Sequence, residues 1–182
     1  MPVGGNGEFW RKMVLTGLYR RSLDDKQRLA LPKPLRSKVL ESEPMYVTPG
    51  LDGCIAVYPE QAFAALAERL AIGSPAAKEV REYSRLFYSQ ASCVEIDRQS
   101  RIRIPQSLLD WADVSVEAVV VGVRDHLEIW SGERWEEFVA SRDQQYEDLA
   151  VTAFAPQPAI DPTKIAADTA ATLEAPLKPQ PK

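Results

Sequence analysis

The side chains best suited to chemistry in this chain are arginines, and they come in two matching sets. "DDKQRLALPKPL" begins at Asp24 and "DRQSRIRIPQSL" at Asp97, and a 73-residue offset lays Asp24 on Asp97, Arg28 on Arg101, Pro32 on Pro105 and Leu35 on Leu108, with Leu29 and Leu31 meeting Ile102 and Ile104. A carboxylate four residues before a guanidinium has two uses. As an exposed ion pair it braces its own turn, worth under ~1 kcal/mol. Alternatively the carboxylate braces the turn while the guanidinium faces outward, offering a fixed fork of donors to a phosphate or a guanine edge. The neighbouring Arg20, Arg21, Lys26, Lys33 and Arg98 favour the second use.

Other chemistries find little material. Cys54 and Cys93 have no C-x-x-C spacing and share the chain with one histidine, His126, so zinc would lack ligands and buried reduced thiols are expected. His126 lies between two β-rich runs with no serine or cysteine in a nucleophile motif, and Glu136 and Glu137 read as the solvated face of a helix. There is no glycine-rich phosphate loop leading into a helix. Neither an enzyme, nor a cofactor, nor a small-molecule substrate is indicated. Trp130 and Trp135 could stack on exposed bases, but Tyr58 and Phe63 occupy the equivalent positions of the first copy, which suits anchoring in a core.

The elements that must position the arginines follow from periodicity. Alternate residues of a strand face opposite ways, so Leu29, Leu31, Ile102 and Ile104 turn inward while Arg28 and Ala30 in one copy, and Arg101 and Arg103 in the other, turn outward. Pro32 and Pro105 cannot donate a ladder hydrogen bond and end their strands. Next come "MYVTPGLDGCIAVYPEQAFAAL" and "EAVVVGVRDHLEIWSGERWEEF", each two β-rich runs around a turn, with Pro59 opening one helix and Ser131 capping another. Each copy therefore reads strand, turn, short strand, short helix, hairpin, helix. Between them "GSPAAKEVREYSRLFYSQAS" predicts one more helix, capped by Ser74, with Pro75 in its first turn and an apolar stripe of Val80, Tyr83, Leu86 and Phe87. An acidic helix is expected from Gly132 to Leu149, with Trp135, Phe138 and Val139 on one face.

A copy stripped of the connecting helix is too short to bury a comfortable core by itself. The two copies are expected to fold on each other about an approximate two-fold axis, sharing one barrel-like core: a dimer written into a single chain. The formal charge of −4 argues weakly against a polyanionic partner, but it is segregated. Nine basic residues lie between Arg11 and Lys38 against Asp24 and Asp25, and six acids between Glu133 and Asp148 against Arg134 and Arg142. The leader "MPVGGNGEFWRKMVLTGLYRR" has only a short apolar stretch and no small-residue cleavage site, so a cytoplasmic chain without membrane association is expected. From about Ala153 the residues are mostly Ala, Pro, Thr and Lys, a composition that predicts disorder.

The doubled D-x-x-x-R-h-x-h-P pattern, with "LDGCIAVYP" in the first hairpin and "VVVGVRDHLEIWSGERWEEF" in the second, resembles the MraZ family of bacterial regulators, whose halves are AbrB-like swapped-hairpin units. The resemblance covers roughly Leu15 to Tyr146. It implies a mainly β, α+β fold: two AbrB-like hairpin repeats forming one pseudo-two-fold double-split β-barrel, plus connecting and C-terminal helices. The expected divisions are a poorly ordered leader (1–14), a first repeat (15–62), connecting helices (63–91), a second repeat with its helix (92–150) and a disordered tail (151–182). It also implies a cytoplasmic, nucleoid-associated transcription factor, most simply a repressor, acting on the division and cell-wall gene cluster as a ring of protomers on tandem promoter repeats. The DNA-reading arginines of the family fall on Arg28 and Arg101, with Lys26 and Arg103 as backbone contacts and Arg20 and Arg98 nearby. Where the family motif usually has glycine just before that arginine, this chain has Gln27 and Ser100. A left-handed residue there would cost roughly 1 to 2 kcal/mol, so either the turn is reshaped or its strain is tolerated. The other reading is an antitoxin-like or other protein-interaction module that does not read DNA directly.

Overall fold

A computed structural model of the chain describes residues 14–39, 44–72, 77–142 and 145–155. The first copy contributes β1 (Leu15–Ser22), β2 (Arg28–Ala30), α1 (Lys33–Val39), β3 (Met45–Pro49), β4 (Ile55–Pro59) and α2 (Glu60–Ile72). Helix α3 (Lys78–Gln90) connects to the second copy, which contributes β5 (Ser92–Val94), β6 (Arg101–Arg103), α4 (Gln106–Ala112), β7 (Glu117–Arg124), β8 (His126–Ser131) and α5 (Gly132–Arg142), followed by α6 (Tyr146–Phe154). Each copy follows the predicted order, and the chain is mixed α and β with antiparallel strands throughout.

The copies interlock. One sheet runs β1-β7-β8-β4-β3-β5, and β2 pairs with β6 in a separate ribbon. The first strand of each copy lies on the hairpin of the other: Arg21 faces Ala118 in β1–β7 and Met45 faces Val94 in β3–β5, pairs that exchange under the 73-residue offset. In the ribbon, Leu29 sits opposite Ile102, flanked by Arg28 with Arg103 and Ala30 with Arg101, so the axis passes between Leu29 and Ile102. It crosses the large sheet again between Ala56 and Glu128, where Ile55–Ile129 and Val57–Leu127 are the symmetric flanking pairs. The large sheet has β1 and β5 at its ends, and its described pairings do not include the closure of a barrel.

One core serves both copies, and it is built from alternate residues. Leu29, Leu31, Ile102 and Ile104 are buried as expected, together with Leu35, Leu108, Met45, Val47, Ile55, Val57, Leu127 and Ile129. On the other face of the sheet, aromatic clusters sit under the helices. Tyr58 meets Phe63, ring centroids 6.3 Å apart, and Trp130 meets Trp135 at 5.6 Å, so the repeated aromatics anchor α2 and α5 at equivalent places. Ser131 Oγ accepts the amide of Arg134 at 3.3 Å and caps α5.

Several expectations change. The stripe on α3 is only half covered: Phe87 packs on Phe63 and Val80 is half-buried, but Tyr83 and Leu86 are exposed. Adjacent helix residues stand roughly 100° apart, so seating Phe87 on the sheet turns Leu86 away from it. The acidic helix is two, α5 ending at Arg142 and α6 beginning at Tyr146, and α6 carries helix to Phe154, into the residues expected to belong to the tail. Val139 is exposed. Cys54 is buried as foreseen, but Cys93 is exposed, because its neighbour Val94 packs against the core and alternation along β5 turns Cys93 to the opposite face. Ser74, Pro75, the leader to residue 13 and the tail from residue 156 lie outside the described residues.

Candidate nucleic-acid interface

The two repeated strings fold into the same turn at opposite ends of the β2–β6 ribbon. The Asp24 carbonyl accepts the amide of Gln27 at 3.0 Å, and its Oδ1 accepts the amides of Lys26 and Arg28, each at 2.9 Å. At the other end the Asp97 carbonyl accepts the Ser100 amide at 2.8 Å, and Oδ1 accepts the amides of Gln99 at 2.8 Å and Arg101 at 3.0 Å. An aspartate at the start of such a turn occupies donors that a strand end would leave unpaired.

Gln27 and Ser100 both take left-handed backbone, with φ of 60° and 59°. The turn keeps the geometry that suits glycine and tolerates the strain. Its use is visible in the carbonyls that this conformation aims across the axis: Gln27 O accepts the amide of Ile104 and Ser100 O that of Leu31, both at 2.9 Å. The Gln27 side-chain amide also bonds to Gln106 Oε1 of the other copy. Replacing Gln27 or Ser100 by glycine is expected to stabilise the chain. Release from left-handed strain contributes about 1 to 2 kcal/mol, and the added freedom of the unfolded glycine takes back about 0.5 to 1 kcal/mol. Urea midpoints of the two variants check this; a lower midpoint in both contradicts it.

The arginines do not stand free at the turn mouths. Arg28 Nε donates to Asp24 Oδ2 at 2.7 Å, and Arg101 Nε donates to Asp97 Oδ2 at 2.9 Å. Both guanidinium side chains are largely covered, with 29% of Arg28 and 22% of Arg101 exposed. Burial pushes the Asp24 carboxyl up, but the Arg28 amide and guanidinium and the Lys26 amide outweigh it and hold the group below its ordinary value. The Asp97 carboxyl also lies low, chiefly through the side chain and then the amide of Arg101. The aspartates thus stay charged and keep the arginines oriented.

Of the other predicted cations, Lys26 and Arg103 are exposed and line one depression with Asp25, Gln27 and Arg28. Arg98 is exposed on the second turn, outside that depression. Arg20 lies on β1 and pairs with Glu136 of α5 at 3.0 Å, both side chains well exposed, so it belongs to another part of the surface. The contact that sequence reasoning missed joins the copies: Arg101 Nη1 reaches Asp24 Oδ2 at 3.3 Å. Only the antiparallel register of β2 on β6 brings these residues, 77 apart in sequence, together.

The remaining titratable cluster has a structural account. His126 holds Asp125 Oδ1 at 2.8 Å and Glu128 Oε1 at 3.5 Å and stacks on Tyr58. Burial lowers the imidazole's proton affinity, but the two carboxylates outweigh it and leave the pKa raised. Burial first, then the charge of Glu128, pushes the Cys54 thiol up to about 12, and its Sγ bonds to the Leu51 carbonyl. Such a thiol is a poor nucleophile. Among the described residues no group of three His, Cys, Asp or Glu side chains could hold a metal ion, and no helix is long and apolar enough to cross a membrane.

Comparison with known proteins agrees with the doubled architecture. A family profile described as "MraZ protein, putative antitoxin-like" matches twice, at residues 14–86 and 87–154, one match per copy. A protein of Finegoldia magna named "Transcriptional regulator MraZ" is 39% identical over 132 residues, 72% of this chain and 91% of that protein. One of the same name from Moorella thermoacetica is 40% identical over 137 residues, 75% of this chain and 94% of that protein. With two profile matches coinciding with two interlocked copies, and relatives matched over most of their length, this chain belongs to the MraZ family.

Proposed function

We propose that this chain is a transcriptional regulator that binds double-stranded DNA in a sequence-specific way through the two ends of the β2–β6 ribbon. The observation that carries this reading is the pair of matching Asp-braced turns, which fix arginines on one rigid β scaffold with Lys26, Arg98 and Arg103 exposed beside them. Lysine and arginine on phosphates supply affinity that falls with salt, and an arginine fork on a guanine edge supplies discrimination. Arg28 and Arg101 are the residues at the centre of the interface, with Lys26, Arg98 and Arg103 around them. Arg20 would join only after leaving Glu136.

One chain presents a small reading surface, so the working form is a homo-oligomeric ring that meets tandem promoter repeats and gains affinity through effective concentration. In support, α6 exposes Tyr146, Val151 and Phe154, and α3 exposes Tyr83 and Leu86, apolar side chains that a second copy could cover. On this reading the protein is cytoplasmic and nucleoid-associated and represses the division and cell-wall gene cluster. The same helices favour a second reading, an antitoxin-like protein-interaction module. Size-exclusion chromatography with and without promoter duplex separates the two: a DNA-dependent shift that weakens with salt is expected. Elution unmoved by any duplex would discard the DNA reading in favour of the second.

A further inference from the structure

The two ends of the ribbon are alike in backbone and unlike in charge. Under the two-fold, Asp25 corresponds to Arg98, Lys26 to Gln99, and Ala30 to Arg103. Because the strands are antiparallel, Arg103 of the second copy stands opposite Arg28, beside the first turn, whereas Arg101 faces Ala30. The two central guanidiniums also differ in what they have left to give. Arg101 is held at all three nitrogens: Nε and Nη2 lie on Asp97 Oδ2 at 2.9 and 2.8 Å, and Nη1 on Asp24 Oδ2 at 3.3 Å. Arg28 hydrogen-bonds through Nε, and among the described residues its two Nη nitrogens, which form the outer fork of the group, donate no hydrogen bond.

Resting on the DNA-binding reading above, we infer that the chain reads duplex DNA with one polarity, the first-turn end facing base edges and the second-turn end acting as a brace. At the first end Arg28, Arg103 and Lys26 converge on one depression. Like charges facing each other across paired strands repel, and an incoming acceptor between them relieves that repulsion. Arg28 presents its free fork there, and Arg103 reaches the depression from the partner strand. At the second end Arg101, engaged by Asp97 and Asp24, serves the interface by positioning the turn and leaves base reading to Arg28, and the exposed Arg98 takes a phosphate. A phosphate contact carries no sequence information, so the information gathered by one chain comes from one side of its axis.

The test begins with a duplex core selected by the full-length wild-type chain from a random-sequence library. The expected core is not self-complementary. Arg103→Ala should bind that core about ten-fold or more weakly, with little change on a scrambled duplex, while Arg98→Ala lowers affinity for both alike and reduces the salt slope by about one. Both residues are exposed, so melting temperatures should match wild type and exclude misfolding as the cause. A self-complementary core, or Arg98→Ala and Arg103→Ala losing the same sequence preference, would overturn the polarity while leaving DNA binding in place. A wild-type chain that selects no duplex overturns the DNA reading and the polarity with it.

Discussion

Arg28→Ala is expected to lower affinity for the selected duplex roughly 5- to 150-fold, the loss of an arginine fork worth about 1 to 3 kcal/mol, without changing the chain's melting temperature appreciably. Arg101→Ala should weaken binding and lower the melting temperature together. The difference lies in the partners each guanidinium leaves behind. Removing Arg28 leaves Asp24 with the amides of Lys26 and Arg28 and a second guanidinium from Arg101. Removing Arg101 takes the side-chain partner of Asp97 and the link between the copies in one step. Gel-shift titration beside a thermal melt of each variant measures both quantities. Unchanged affinity in Arg28→Ala would remove that residue from the interface, and equal melting temperatures for the two variants would deny that Arg101 braces the ribbon.

Leu29→Ala is expected to cost about 2 to 5 kcal/mol, a large fraction of the roughly 5 to 15 kcal/mol that holds a domain of this size together. Leu29 is fully buried where the axis passes between the copies, opposite the equally buried Ile102. A cavity there has poor means of closing, because Leu31, Ile104, Leu35 and Leu108 are already packed around a core that both copies share. Ile102→Ala should cost a similar amount, and the double variant should depart from additivity because the two side chains are neighbours across the ribbon. Urea unfolding followed by circular dichroism supplies the values. A loss under about 1 kcal/mol for Leu29→Ala would mean that the core does not depend on the axis. The same variants help to interpret DNA binding, since turns anchored at opposite ends of a loosened ribbon lose their fixed separation.

Sequence pattern alone went far towards the scaffold. Strand alternation has a period of two whatever surrounds it, so Leu29, Leu31, Ile102 and Ile104 could be placed inside without knowing what they would meet. Pro32 and Pro105 stop a ladder for a covalent reason, and the spacing of Asp24 to Arg28 is a local turn that closes within five residues. The doubling then predicted equal roles for Arg28 and Arg101, because local spacing is all that a repeat preserves.

What tertiary structure decided are the contacts whose partners come from the other copy or from another element. The reach of Arg101 to Asp24, the placing of Arg103 beside Arg28 and the hydrogen bonds from the left-handed Gln27 and Ser100 carbonyls all depend on the register of β2 on β6. Leu86 and Cys93 are left uncovered because the residues beside them, Phe87 on α3 and Val94 on β5, take the inward places. Local rules fix which way a side chain leaves its own strand, because backbone geometry sets that within a few residues. Which charge it meets is fixed only when distant segments close on a common core, and here that closure gives two nearly identical turns different chemistry.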